Sequence, residues 1–464
     1  MTDRNLASKL WNLCHVLRDD GIVYHKYLSE LTYLLFLKNA SETGRDNLLP
    51  KGCRWSDLKN HLGIGILGYY RKMLTQLGED AADSSVREIF AFPTTVFSHD
   101  ENLSKVVDEI DTLDWHSTKK DGLGQVYESL LERNAAEARS GAGQYFTPRP
   151  LVDCIVRLMK PHPGEVIQDP AAGTGGFLIS ADHEIRANYS PLKYQELPPI
   201  YRGVEIESDT YRLCLMNLFL HNMQGQIKHG DALTEDVRHL ELADLIIANP
   251  PFGISAGGAR VRRNDLPFVS SNKQLAFLQH IYLGLKIGGR AAVVVPDNVL
   301  FEEGVGRKVR TDLMAKCDLH TILRLPTGIF YAAGVNTNVL MFTRDPKNGT
   351  KQTWIYDLRT NVPRFKKTRP IQAADFSQFE TAYGNDPNGK SQRQDEGPDG
   401  RFRCFTRDEI ARRNDNLDIS WLRGAESTDE DKAEPEEIAA VIATHLRAAL
   451  TELESLAADI QSDS

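Results

Sequence analysis

After SGAGQ (140–144) the chain takes on a texture that few folds can satisfy: apolar runs of five or six residues, separated by segments with helical spacing. The runs are EVIQD (165–169), YRGVEI (201–206), QIKHG (226–230), ADLIIA (243–248), RAAVVV (290–295), HTILRL (320–325) and NVLMFT (338–343). Between them stand stretches such as DTYRLCLMNLFLHNM (209–223) and QLAFLQHIYLGLKI (274–287), which suit crossover helices. Strands that alternate with helices pack as a parallel sheet covered on both faces. The pattern predicts an α/β, seven-stranded, doubly wound Rossmann-like domain over residues 139–345.

The residues before it read differently. Leu6, Leu10, Leu13 and Leu17 recur at helical spacing, KYLSELTYLLFLKNA (26–40) continues in the same style, and GQVYESLLERNAAEA adds a further amphipathic segment. An all-helical domain is expected over 1–138, serving as scaffold. Beyond 345 the signal weakens: GNDPNGKSQRQDEGPDGR (384–401) reads as a linker or exposed loop, within an extension and linker over 346–432. In the last segment, 433–464, Ile442, Leu446, Leu450, Leu453, Ala457 and Ile460 share one helical face. That C-terminal helix either packs on its own domain or forms a seam for another subunit's helices.

The net charge of −9 at first argues against a nucleic-acid enzyme, but the acid is concentrated at one end. Residues 423–464 hold 11 acidic and 3 basic side chains, a net of −8, which leaves only −1 for the rest. A near-neutral body can carry a basic cleft. No run approaches the length of a membrane span and the N-terminus lacks the layout of a secretory signal, so a cytoplasmic protein is expected. Cysteines at 14, 53, 154, 214, 317 and 404 never form CxxC, which points away from zinc and from a disulfide framework.

Chemistry concentrates where the first four strands end. DPAAGTGGFL (169–178) follows one strand and opens a helix, and Gly173, Gly175 and Gly176 let the backbone turn tightly and approach a ligand. It lacks the GxxxxGK[ST] pattern of a triphosphate-binding loop. Glu205 closes the second strand, where a carboxylate can accept both hydroxyls of a ribose, and Asp231 follows the third, where it can accept from a nucleobase amine. Each acid alone is as consistent with a helix cap or a solvated loop. Together with the glycine turn that Asp169 opens, on the ends of three successive strands, they describe an adenosine pocket.

The fourth strand runs into Asn249, Pro250, Pro251 and Phe252. Proline cannot donate to a sheet and forces the preceding residue into an extended conformation, so the strand stops in a rigid turn. The Asn249 side-chain oxygen and the Pro250 carbonyl can both accept from one primary amine, and Phe252 offers a face to a planar ring. These groups suit methyl transfer to the amino group of adenine, whose lone pair is delocalised into the ring. Two acceptors on its hydrogens favour a pyramidal nitrogen aimed at a sulfonium methyl, without a strong base. A base inside a duplex cannot reach such a turn, so it must be flipped out.

These residues resemble the amino-group DNA methyltransferases, and the whole chain resembles the modification subunit of type I restriction-modification systems. The resemblance runs through GQYFTPRPLV (143–152), DPAAGTGGFL, NPPF, GGRAAVVVPDNVLF (288–301) and LPTGIFYAAGVNTNVLMF (325–342). It implies that Gln144, Tyr145, Phe146, Thr147, Pro148 and Arg149 line the methionine end of S-adenosylmethionine, that Thr174, Gly175, Gly176 and Glu205 touch the same cofactor, and that Asn249 to Phe252 form the catalytic turn, with no metal. Double-stranded DNA is the implied substrate. Little chain follows the last strand to read base edges, so a separate specificity subunit is implied, in the family pattern of two modification subunits to one specificity subunit, to which motor-nuclease subunits can add. The acidic tail departs from the family pattern. The loop ISAGGARVRRNDLPFVSSNK (254–273), with Arg260, Arg262, Arg263 and Lys273, either closes over DNA or is a solvated basic loop. Two other readings stay open: a protein-glutamine methyltransferase, since the turn also suits a side-chain amide, and a catalytically idle clamp on DNA.

Overall fold

The computed structural model describes residues 6, 8–13, 24–113, 122–137, 147–237, 240–253, 263–330, 336–366, 369–423, 442 and 446. Gln144, Tyr145, Phe146, Arg260 and Arg262, and nearly all of the expected C-terminal helix, lie outside the described residues. Nine strands in mixed orientation occur among the described residues, and the chain divides into two compact units.

The first unit comprises Met1–Phe146, His162–Ala232 and Asp236–Leu240. It holds three parallel strands, β1 (Val166–Asp169), β2 (Ile200–Glu205) and β3 (Gly225–His229), in the order β3-β2-β1. Asp169 stands opposite Gly203, and Glu205 opposite His229, so β2 and β3 run two residues beyond the last residue of β1. Helices Gly176–Asn188 and Ser208–Leu220 follow β1 and β2 as crossovers. The N-terminal helices share this unit. Phe36, on helix Tyr24–Glu42, stacks on Phe219 with ring centroids 4.3 Å apart, and Arg45 donates to the Phe219 carbonyl at 3.2 Å. Apolar faces at helical spacing need a partner surface, and here the far side of a crossover helix supplies it.

The second unit comprises Thr147–Pro161, Leu233–Glu235 and Glu241–Ser464. Its strands are β4 (Ala243–Ala248), β5 (Leu285–Pro296), β6 (Cys317–Arg324), β7 (Thr337–Arg344), β8 (Gln352–Asp357) and β9 (Phe402–Thr406), in the order β4-β5-β7-β6-β8-β9. The run Ala291–Val295 of β5 and the run Val339–Phe342 of β7 are buried throughout, as expected for strands covered on both faces.

All seven expected runs are strands, but the count of seven and the all-parallel arrangement need correction. β7 lies antiparallel between β5 and β6. The described residues of the link from β6 to β7, 325–330 and 336, hold no helix, and β7 returns in the opposite sense. β8 and β9 add to the sheet within residues expected to be extension and linker. The 384–401 segment is tied down rather than loose: Arg393 donates to Thr321 Oγ1 at 2.9 Å and to the Tyr383 carbonyl at 3.0 Å. No helix of the described residues is long and apolar enough to cross a membrane.

Candidate functional site

In the first unit the turn after β1 forms because its glycines accept conformations closed to other residues. Gly173 has φ +54° and Gly175 φ +81°, and a Cβ added at Gly176 would meet nothing within 4 Å, so the turn faces open space. Three bonds fix its path. Ala172 N donates to the Val204 carbonyl at 2.9 Å, Gly175 N to the Ala172 carbonyl at 2.8 Å, and Asn217 Nδ2, from helix Ser208–Leu220, to the Thr174 carbonyl at 2.9 Å. Asn217 was not legible as a site residue, because its sequence context is that of a crossover helix.

Glu205 is joined to the same turn. Gly173 N donates to its Oε2 and Glu207 N to its Oε1, each at 2.9 Å. Burial raises its pKa, while these backbone donors oppose the rise. Each carboxylate oxygen keeps lone-pair capacity for a hydroxyl donor. The glycine turn, its open face and this half-buried acid fit the ribose and chain of an adenosine-based cofactor. Asp231, two residues past β3, is half-buried.

Asp169 behaves differently. It is 1 % exposed, and burial pushes its pKa up to about 8, with the nearby Glu205 charge adding to the rise and the bond from Ala171 N at 3.0 Å opposing it. A carboxyl protonated in the fold and ionised in the unfolded chain stabilises the fold below the unfolded pKa, near 4, and loses that contribution as pH rises towards 8. Asp169→Asn is therefore expected to remove a downward slope of roughly 1 kcal/mol per pH unit between about pH 5 and 8. Urea unfolding at a series of pH values, wild type against variant, measures it; parallel curves for the two proteins would contradict the protonated carboxyl.

In the second unit, β4 delivers Asn249 into the turn. Asn249 is 7 % exposed, and its Nδ2 donates to Thr147 Oγ1 at 2.9 Å. With the amide nitrogen held this way, Asn249 Oδ1 is buried and has no hydrogen-bond partner among the described residues. An acceptor left unmet in a native site normally costs on the order of 1–3 kcal/mol, which marks it as a place for a ligand donor. Thr147 thus holds the amide of Asn249, the residue that opens the NPPF turn. Pro148 caps helix Arg149–Met159, and Arg149 Nε donates to Asp153 Oδ1 at 2.9 Å.

Beyond Asn249, Pro250 is buried, and Pro251 and Phe252 are half-buried. The Phe252 ring meets Phe330 edge to face, with centroids 6.3 Å apart and planes at 75°. Phe330 lies in the LPTGIFY stretch, where sequence gave no reason to prefer it over its neighbours. Gly253, at φ +116°, ends the turn, and Lys273 N donates to its carbonyl at 3.4 Å. Asn272 caps helix Lys273–Gly284 by accepting from Gln274 N and Leu275 N, and its own Nδ2 donates to Glu302 Oε2 at 2.7 Å. Lys273 is therefore beside the turn and half-buried. Arg263 is turned inward: its guanidinium engages the Asp265 carboxylate and His280 Nδ1, and its side chain is 9 % exposed.

The sequence profile of the N-6 DNA Methylase family matches residues 118–431. The chain is 44% identical to the type I restriction enzyme StySPI methylase subunit of Salmonella potsdam, over 98% of this chain and 95% of that one. It is similar to the crystal structure of the type I restriction enzyme EcoKI M protein, with 40% identity, TM-score 0.56 and coverage of 97% and 96% of the two chains. A further match, at 26% identity and TM-score 0.77 over 100% of both chains, is to a structure described as the basis of complex assembly and conformational transition of the type I R-M system.

Proposed function

Because the chain belongs to the N-6 DNA methylase family, as a type I restriction-modification methylase subunit, we propose that it moves the methyl group of S-adenosylmethionine to N6 of an adenine swung out of duplex DNA, in a complex whose sequence choice comes from a separate specificity subunit. It is an adenine-specific DNA methyltransferase with an α/β methyltransferase fold. The finer assignment rests above all on Asn249: an amide whose nitrogen is held by Thr147 and whose buried oxygen awaits a donor.

Bound S-adenosylmethionine supplies an electrophilic methyl group on a sulfonium. Glu205 holds the ribose hydroxyls, the 173–176 turn lets the cofactor approach the backbone, and Asp231 accepts from its adenine amine. Thr147, Pro148 and Arg149 would meet the methionine end, the role the resemblance also gives to Gln144, Tyr145 and Phe146, which lie outside the described residues. Asn249 Oδ1 and the Pro250 carbonyl each accept one hydrogen of the target amine, which draws its lone pair out of the ring and aims it. Pro251 fixes the turn, and Phe252 takes the base on its face. With S-adenosylmethionine bound, the N–C bond would form as the S–C bond breaks; Asn249 Oδ1 and the Pro250 carbonyl would hold the amine while it takes on positive charge, until one of its protons leaves to solvent. Lys273, beside the NPPF turn, would meet the DNA backbone. Two such subunits serve one specificity subunit in the cytoplasm, and motor-nuclease subunits can join them.

The test is transfer of labelled methyl to DNA by the chain alone and by the chain co-purified with its specificity subunit. Little transfer alone and robust labelling of adenine N6 at one sequence in the complex is the expected result. Label on a protein glutamine, or none in the complex, would overturn the reading.

A further inference from the structure

Between Asp357 and Asp375 the chain carries Arg359, Arg364, Lys366, Lys367 and Arg369 and no acid, although its net charge is −9. Arg359 is occupied by Asp297, with nitrogen–oxygen distances of 2.8 and 2.9 Å. Arg364, Lys366, Lys367 and Arg369 fall within six residues; Lys367 lies outside the described residues, and the structure fixes where the other three of this cluster sit. Phe365, 4 % exposed, anchors it, and Phe365 N donates to the Thr327 carbonyl at 3.1 Å. The two backbones come so close that a Cβ at Gly328 would collide with the Phe365 carbonyl, and Gly328 has φ +81°. Lys366 and Arg369 are paired by two backbone hydrogen bonds of 3.1 and 2.9 Å, and the Arg369 guanidinium lies 5.6 Å from the Phe365 ring centre. Both side chains are exposed. Two residues past Gly328, Phe330 meets Phe252. The basic cluster is thus pinned to the turn that carries the aromatic neighbour of NPPF.

We propose that segment 364–369 is a DNA-backbone contact: Lys366 and Arg369 neutralise phosphates that flank the adenine delivered to Asn249. The inference rests on the proposed function, because it takes the base to enter at the NPPF turn. A nucleotide swung out of a duplex stays covalently tied to a phosphate on each side, so negative charge must pass the rim of whichever pocket takes the base. A chain with net negative charge needs cations at that rim, and this segment supplies them without an acid nearby in sequence.

The experiment is a salt titration of DNA binding by the methyltransferase complex, assembled with wild-type chain or with Lys366→Ala/Arg369→Ala. Each neutralised phosphate contributes about 0.9 to the slope of log affinity against log salt. The double variant is expected to flatten the slope by about 2 on duplexes with and without the target sequence, with cofactor affinity unchanged. The charge-keeping Lys366→Arg/Arg369→Lys variant is expected to retain the wild-type slope, which separates charge from folding. An unchanged slope in the double variant overturns the proposal. Loss of the specificity subunit with an unchanged slope also overturns it, and assigns the cluster to protein docking. A wild-type complex that fails to methylate DNA overturns the functional reading itself, a result separable from the slope comparison.

Discussion

Asn249→Ala, in the assembled complex, is expected to slow methyl transfer by a factor on the order of 10²–10³, the loss that follows removal of one preorganised acceptor or donor from a reacting centre. Asn249 Oδ1 is already oriented before substrate arrives, because Thr147 Oγ1 holds Nδ2 at 2.9 Å. Alanine removes the acceptor and leaves Pro250 to grip the amine from one side. The glycine turn and Glu205 keep their own hydrogen bonds, so the affinity for S-adenosylmethionine, measured by calorimetry, is expected to stay within about twofold of wild type. Asn249→Asp keeps an oxygen in place and is expected to retain more activity than alanine. Thr147→Val leaves Asn249 with both oxygen and nitrogen but frees its rotation, and a loss of roughly tenfold is expected, between wild type and alanine. Equal rates for all four proteins in single-turnover assays would show that the amide has no part in the chemistry.

The second large effect concerns stability. Arg359→Ala is expected to lower the unfolding free energy by about 3 kcal/mol at neutral pH, because it leaves a partly buried carboxylate without its cation. The pair is bidentate, with side chains only 11% and 21% exposed. Arg359 does more than neutralise Asp297. Its Nε donates to the Leu325 carbonyl at 3.0 Å and its Nη2 to the Thr337 carbonyl at 2.9 Å, so one guanidinium holds both the exit from β6 and the entry to β7. Phe330 lies between those two points in sequence. A second consequence follows from the sign of the titration. Burial alone would raise the Asp297 pKa, but the bonds from Arg359 and Asn338 outweigh it and hold the carboxyl below its ordinary range. Stability from this pair is present above about pH 4 and is lost as pH falls through the depressed value. The difference between wild type and Arg359→Ala should therefore shrink as pH is lowered from about 6 to 3. Urea midpoints across that range check it, and a constant difference would mean that the carboxylate is not the partner that matters. Lysine at 359 restores the charge but cannot bridge two carbonyls and a carboxylate together, so partial recovery is expected.

How far the sequence reaches is visible at particular residues. Runs such as ADLIIA and RAAVVV announce strands because a sheet buried on both faces demands continuous apolar side chains. Their direction is not written in that pattern: NVLMFT reads like its neighbours, yet β7 runs antiparallel to both β5 and β6. β8 was legible in principle, since TWIY within 352–357 combines aromatic and β-branched residues. It was passed over because the Gly- and Pro-rich stretch that follows dominates the region. In the candidate site, strand-end position alone singles out Glu205 and the glycine turn, and Gly173 N donates to the Glu205 carboxylate. The Thr147–Asn249 bond links residues 102 apart, a relation no local spacing encodes. Arg263 shows the converse: a charge that reads as exposed in sequence is folded against Asp265 and His280.

The most direct measurement is a structure of the chain with its specificity subunit, a duplex carrying the target adenine, and S-adenosylhomocysteine. The target base is expected outside the helix against Phe252, with N6 within about 3.2 Å of both Asn249 Oδ1 and the Pro250 carbonyl. An adenine still stacked in the duplex, or extruded to a place where its amine meets neither oxygen, would contradict the account.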